Sequence, residues 1–530
     1  VDEVEHPAAA DAPSPPRARS GPAATASVLR RGRALRFGAT SLVGLLACTY
    51  FVGLTARMQS GGARHLLGRW AYWTARFSPW QREPKDFRHG GLVVLVAAVV
   101  LVLAWLVGAW LIQRDRLPWT WVASVAVLWS LPVVLAPPIL SQDAYAYLAQ
   151  GAVASGGGSP YQAPSAVLGA HSALVQAVDP LYRGRVAPYG PVAVRLFSFA
   201  LWAGHQSPPV ALGVLRALAV LCVVMAVLGC IHLAGRDRSA MVVWVVAASP
   251  LILLHLVGGL HVEAELGALL VAALVLHRRG LTQLAAAVIV VAAAIKVTVI
   301  AALAVLLLDT WRRRGWRRAG LDVLAALAAA AVLSAALRPT PFGWLPALGA
   351  PLRVWDPVAL PTSIALLWGS VTETSPVLAV GPLRLIVAVV GIGAALWCLA
   401  TIDRRPVEAS VGMALTAVLL TGPVLWPWYL APAIICLAAW RGRGLMLLLA
   451  LTCASALTAL PMPVKQMQRV TAVTDVVVLL TCAIVVLVTR RRSPRGQAAV
   501  PDPPGDLAVG SGPRAGSAQR LRVGVDRSPT

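Results

Sequence analysis

Apolar runs longer than the core stripe of a soluble helix recur from about residue 38 to residue 489, separated by short polar punctuation. The clearest, Gly91 to Ile112, is 22 residues without a charge. At 1.5 Å per residue it can cross a hydrocarbon core of about 30 Å. Backbone groups in lipid must be satisfied within the segment, so each such run predicts a helix. Hydropathy gives about 14 of them, near 38–56, 91–112, 119–138, 209–233, 240–258, 262–277, 281–295, 297–310, 319–337, 377–400, 407–425, 429–440, 444–460 and 470–489. The fold class expected is all-α, a polytopic integral membrane protein with short outer loops. The runs Leu281–Ala294 and Lys296–Thr310 are too short for upright crossings, yet arginine clusters on both sides require an even number of passes. They predict a helical hairpin with Lys296 at its tip. From Arg64 to Trp80, Leu66, Trp70, Trp73, Phe77 and Trp80 step by three and four, which predicts a helix lying on the membrane.

Composition agrees: 58% of residues are hydrophobic and 13% charged, which excludes an ordinary soluble domain. A net charge of +24 would suggest nucleic acid if it formed a patch. Instead the arginines fall in alternate connections, at Arg114 and Arg116, Arg236 and Arg238, Arg278 and Arg279, Arg312 to Arg314 with Arg317 and Arg318, Arg404 and Arg405, Arg441 and Arg443, and Arg490 to Arg492. That is the positive-inside pattern of a plasma-membrane protein; it argues against nucleic acid, assigns both termini to the cytoplasm and puts the stretch SQDAYAY outside. The ends, 1–29 and 493–530, are rich in Pro, Ala, Ser and Gly and are expected to be disordered cytoplasmic tails flanking a transmembrane domain over 30–492. The first apolar run follows four arginines and is expected to remain as the first span. The seven cysteines lack a CxxC spacing and lie in apolar stretches, so they read as small core residues.

The chemistry gathers on the outer side. The loop from Ile139 to Gly190 holds Asp143, Tyr145, Tyr147, the turn GGGSPY, Arg183 and Arg185 in DPLYRGR, and Tyr189 in APYGP. Its Pro and Gly content predicts tight turns rather than a folded domain. Beyond it come His261 and Glu263 in HLVGGLHVEAE, Lys296, Arg353 and Asp356 in a long loop, and Trp428 and Tyr429 in WPWY. Each has a bland reading. Asp143 suits a helix N-cap, Lys296 can snorkel to the headgroups, and the tryptophans can form an interface belt. His261 and Glu263, two positions apart, do not converge on a metal from one helix, and GGGSP fits no phosphate-binding loop.

In order, APPILSQDAYAYLAQG, SPYQAP, DPLYRGRVAPYGP, HLVGGLHVEAE and AAIKV resemble the actinobacterial polyprenol-phosphate-mannose-dependent alpha-(1→6)-mannosyltransferases of lipomannan core synthesis, a family of the GT-C class. The similarity covers about Phe37 to Arg490 and is most specific from Ala136 to Ala301. It implies that Asp143 is catalytic. The family's His-Asn-(Asp/Glu)-Ala stretch falls on His261, Val262, Glu263 and Ala264, with valine in place of asparagine, and Gln142 stands where many GT-C enzymes have a second acid.

The mechanism that the resemblance implies is an inverting hexosyl transfer at the outer face of the membrane, from a polyprenyl-phosphate mannose donor to a mannosylated glycolipid acceptor. Asp143 is the expected base for the acceptor hydroxyl. A phosphate leaves as an anion and needs positive charge rather than a second acid; Lys296, Arg183, Arg185 and Arg353 are the candidates. Tyr145, Tyr147, Tyr189, His261, Glu263, Trp428 and Tyr429 are the expected substrate contacts. No metal-ligand set and no cofactor is assigned, and help from a divalent cation stays open. The competing class, a lipid or sugar flippase or transporter, also has many spans, but it calls for repeated halves and ionisable groups at the bilayer midplane; the chain has neither.

Overall fold

The computed structural model describes residues 22–57, 61–70, 87–336, 343–346, 348–349, 354–356 and 358–440, with isolated positions 452 and 456. The expected terminal tails, the runs at 444–460 and 470–489 apart from those two positions, the stretch from 71 to Trp80, and Arg353 lie outside them. Every regular element among the described residues is a helix, with no strand. The first long helices are α1 (Pro22–Arg57), α2 (Phe87–Asp115) and α3 (Trp119–Leu135), followed by α4 (Asp143–Ser155), α5 (Pro191–Ala203) and α6 (Pro208–Ala234). Then come α7 (Ser239–Val246), α8 (Glu263–Arg278), α9 (Thr282–Ala293), α10 (Ile300–Arg314) and α11 (Trp316–Ala336). The last are α12 (Leu360–Thr372), α13 (Pro376–Ala400), α14 (Val407–Leu420) and α15 (Ala431–Ala438).

Among the described residues five stretches are long and apolar enough to cross a membrane alone: Arg31–Ala56, Leu92–Asp115, Pro208–Ala234, Trp316–Ala336 and Pro376–Ala400. The π-helix Ile252–Gly258 meets α8 at a bend of 106°, a geometry shared by broken spans and re-entrant loops. The other apolar helices are shorter than a full crossing, so the hydropathy count of 14 is not recovered as full-length spans among the described residues. The hairpin appears where it was expected: α9 and α10 join through a turn at Lys296 and the 3₁₀ segment Val297–Val299.

Indole N–H groups in lipid need acceptors, and the packing of α1, α2, α3 and α7 is built on that need. Trp105 donates to the Trp244 carbonyl at 3.1 Å, Trp244 returns a bond to the Trp105 carbonyl at 2.9 Å, and Trp129 donates to Ser41 O at 2.9 Å. The five described cysteines are buried free thiols. Of the surface stripe, the described part is the short helix Gly61–Leu67 and Trp70, whose indole donates to the Leu135 carbonyl at the end of α3.

The Ile139–Gly190 connection is more ordered than its turn-rich sequence predicts. It contains α4, Ala173–Ala177 and Pro180–Arg183 as α-helix and Ser165–Leu168 as 3₁₀ helix. Asp179 caps Pro180–Arg183 by accepting from the Leu181 N–H at 2.8 Å, with proline at the first helical position where no donor is needed. α4 then packs on α5 so closely that Gly151 leaves no room for a Cβ against the Phe197 backbone, 2.7 Å away.

Candidate active site

Two breaks in helical backbone make the site. α3 ends at Leu135 and the π-helix ends at Gly258, which strands carbonyls in an apolar interior. Arg216, buried in the first third of α6, answers them: its guanidinium donates to Val134 O at 3.0 Å, Val257 O at 3.2 Å, Gly258 O at 3.4 Å and also to Ala136 O. The Ile139 N–H donates to Gly258 O at 3.1 Å and ties the two breaks together. Just beyond, Leu140 and Leu260 take positive φ of 65° and 60°, a conformation costly for side chains of that size and held only where the surroundings enforce it. These turns aim Asp143 and His261 at each other.

Asp143 begins α4 but does not cap it through its side chain; its own N–H donates to Ser141 Oγ at 3.1 Å. Four residues on, Tyr147 shares its helix face, whereas the fully buried Tyr145 takes another face, within electrostatic reach of Arg216. His261 Nδ1 lies 3.6 Å from Asp143 Oδ2, an electrostatic contact rather than a hydrogen bond, and 3.4 Å from the Tyr147 hydroxyl. Tyr189 donates to the Tyr147 oxygen at 3.4 Å. Trp428 stacks on the His261 ring with centroids 3.6 Å apart. Lys296 Nζ donates to Glu263 Oε1 at 2.5 Å and sits 3.3 Å from the centre of the Tyr429 ring.

The structure therefore unites Asp143, Tyr147, Tyr189, His261, Glu263, Lys296, Trp428 and Tyr429, drawn from α4, the start of α5, the π-helix/α8 bend, the hairpin tip and the WPWY turn. Arg183 and Arg185 lie on the same connection but spend donors on it: Arg183 bonds the Val178 and Gln176 carbonyls at 2.8 Å each, and Arg185 the Leu181 carbonyl at 3.1 Å.

Two supports were not assigned from the sequence. Gly190 abuts the hairpin tip, and a Cβ there would lie 2.6 Å from the Ala294 carbonyl carbon; its N–H donates to Ile295 O at 2.8 Å. Asp356, named from the sequence only as one outer acid, is fully buried and works on the backbone. It accepts from the Val358 N–H at 3.0 Å and from the Leu425 N–H at 2.7 Å, fixing the chain just before Trp426. Burial pushes its carboxyl up, and those two backbone donors partly offset that.

The side chain of Asp143 keeps 23% of its surface exposed, whereas that of His261 has none. Burial pushes the Asp143 carboxyl up to about 6; the Ser141 hydrogen bond and Lys296 lower it, while Glu263 and Asp179 raise it. The Tyr147 and Tyr189 phenols are pushed far above their ordinary value, chiefly by burial, so both remain hydrogen-bond donors at neutral pH. Among the described residues no three His, Cys, Asp or Glu side chains are grouped to hold a metal ion. A reachable carboxylate within electrostatic range of a part-buried ammonium, walled by aromatic rings, suits a polar reaction on a sugar: one group to take a proton, the other to hold an anion.

A family model described as "Alpha-(1->6)-mannopyranosyltransferase, N-terminal domain" matches residues 37–312, more than half of the chain. The chain belongs to this family. A second model, the MptB C-terminal domain, matches residues 358–491. A probable alpha-(1→6)-mannopyranosyltransferase of Mycolicibacterium smegmatis is 31% identical, with 65% of this chain and 70% of the relative covered. Alpha-(1→6)-mannopyranosyltransferase A of Mycobacterium tuberculosis is 28% identical with the same coverage. Alpha-(1→6)-mannopyranosyltransferase B of Corynebacterium glutamicum is 28% identical over 66% of this chain and 65% of its own. No solved structure matches. The protein is thus a helical membrane glycosyltransferase of mannosyltransferase kind, acting between a sugar donor and a glycan acceptor.

Proposed function

We propose that this mannosyltransferase moves mannose from a polyprenyl-phosphate carrier to a mannoside of the lipomannan type, forming an alpha-(1→6) link with inversion at the extracytoplasmic face of the plasma membrane. The observation that carries the reading is the placement of Asp143 and Lys296 in one aromatic-walled cluster, each within range of the other's charge. Asp143 takes the proton of the acceptor 6-hydroxyl as its oxygen attacks the anomeric carbon. The carbon–oxygen bond to phosphate breaks on the opposite side, and polyprenyl phosphate leaves with the bonding electrons. A beta-linked donor then gives an alpha product in one displacement.

Lys296 holds the departing phosphate. An ammonium has three hydrogens, and the Glu263 bond uses one. The Tyr429 ring keeps the charge in place without neutralising it. His261 packs between Asp143 and Trp428, its ring 3.6 Å from the carboxylate and stacked on the indole. The test is incubation of the purified protein with polyprenyl-phosphate mannose and short alpha-mannosides, followed by linkage analysis of the product. An alpha-(1→6) dimannoside unit is expected. Lipid movement in proteoliposomes without sugar transfer would sink the proposal in favour of a flippase.

A further inference from the structure

A groove of about 450 Å³ runs between α5, α6, α8 and α9, within the size range of ligand sites. Its wall is carbon: Leu218 and Met225 from α6, Ala268 and Ala272 from α8, and Ile295 at the hairpin tip. Glu265 also borders it, but its Oε2 is enclosed rather than presented to the groove, and it has no hydrogen-bond partner. Phe199 and Met225, both about half exposed, mark the rim and open the groove sideways onto the apolar flank of the bundle. Seven residues separate Glu265 from Ala272 on α8, so the groove descends roughly 10 Å along the helix.

Its upper end meets the site. Ile295 lines the groove, and the next residue is Lys296, whose ammonium lies in the Asp143 cluster. The wall contributed by α5 is fastened to that tip by the Gly190–Ile295 bond and by the Val192 N–H on Ala294 O at 3.0 Å. Arg195, exposed, borders the same groove. A ligand spanning both places carries an anion at one end, for Lys296, and a long hydrocarbon chain at the other. Such a chain gains about 25 cal/mol for each Å² of apolar surface it hides, which a sideways opening lets it do without leaving the bilayer. We infer that this groove seats the first units of the isoprenoid chain of the lipid-borne donor. This rests on the proposed polyprenyl-phosphate donor.

The test uses the full chain in lipid nanodiscs with two probes. A polyprenyl phosphate carrying a diazirine in its chain, and no sugar, should cross-link to residues of α6 and α8 that line the groove. Mannosyl donors with a long polyprenyl or a short citronellyl chain are then compared on Ala272→Trp, which fills the groove, and on Leu228→Trp, which adds the same ring to an exposed site on α6 outside the groove lining. In Ala272→Trp the KM should rise about tenfold or more for both donors, since the two isoprene units of a citronellyl chain already span the roughly 10 Å of groove, with kcat unaffected. Leu228→Trp should match the wild type. Cross-links outside the groove, or an Ala272→Trp enzyme with the wild-type KM for both donors, overturn the inference. Cross-linking on the wild type decides it even if the variant does not fold. If no polyprenyl-phosphate sugar supports transfer, the functional reading fails, while the sugar-free probe still reports on the groove.

Discussion

Asp143 heads α4 yet contributes no side-chain cap, since its N–H is satisfied by Ser141 and its carboxylate turns toward His261. Capping is therefore a poor account of its position, and Asp143→Asn separates the roles: it keeps shape and removes the base. Transfer should fall about 10²- to 10⁴-fold, the range for losing a positioned base. The raised carboxyl gives a second handle. With its value moved up to about 6, the ionised form is lost as pH falls through 6, so kcat/KM should decline about tenfold per unit below that point. The sign for stability is opposite. A carboxyl raised in the folded state makes stability fall as pH rises through its unfolded and folded values, so the Asn variant should melt no earlier than wild type at pH 7.5. An Asn variant with near-normal turnover, or an acid limb that persists in it, would defeat the assignment. For Lys296 the pairing with Glu263 complicates a single substitution, because removing one partner leaves a buried charge at a cost of about 3–5 kcal/mol. Lys296→Met should therefore lower both stability and donor use. Lys296→Met with Glu263→Gln should regain thermal stability but not donor affinity; recovery of both would make the pair structural.

Apolar continuity made helices legible whatever their length: α2, α6 and α13 stood out, and so did the 12-residue α9, whereas α5 and α12, 13 residues each, were not assigned. The run 240–258 was read as one span because apolar content does not report geometry; the backbone there is α-helix, a break, then π-helix. The Lys296 hairpin was legible because a lone lysine between two short apolar runs has few places to go. Arg216 was overlooked inside a run counted as span, although a single arginine there was the available signal. The Asp356 contact has no local signature at all, as its partner Leu425 lies 69 positions away. Its consequence can still be measured. Asp356→Asn can turn an amide donor toward the Leu425 N–H, loosening the turn that holds Trp428 against His261 and Tyr429 against Lys296. A displacement of the order of 1 Å in positioned groups costs roughly 10²-fold. Turnover should fall by about that amount with a shifted tryptophan emission and an unchanged acid limb near pH 6. Wild-type kinetics would show that the tether is dispensable.

At the scale of the whole molecule, three consecutive helices set the polarity. α8 runs from Glu263 in the site to Arg278, α9 returns from Thr282 to Ala293 below the Lys296 tip, and α10 runs back out to Arg312, Arg313 and Arg314. The far ends are knitted together: Arg278 donates to Leu233 O at 2.8 Å and pairs with Glu408, Arg312 pairs with Asp403, and Arg314 donates to Gly280 O. The 16 residues of α8 put roughly 24 Å between this arginine-rich end and the Asp143 cluster. Arginines retained on one side during insertion define the cytoplasmic face, so the site is expected to open outside. The described cysteines are buried, and a cysteine-free background allows single thiols to report the side. His171→Cys, exposed on the Asp143 connection, should react with an impermeant maleimide in intact cells; Arg317→Cys, exposed at the other end, should react only after permeabilisation. The reverse pattern would put Asp143 in the cytoplasm. The lipid-borne donor at the outer leaflet would then be out of its reach, and the proposed reaction would have to be abandoned along with the topology.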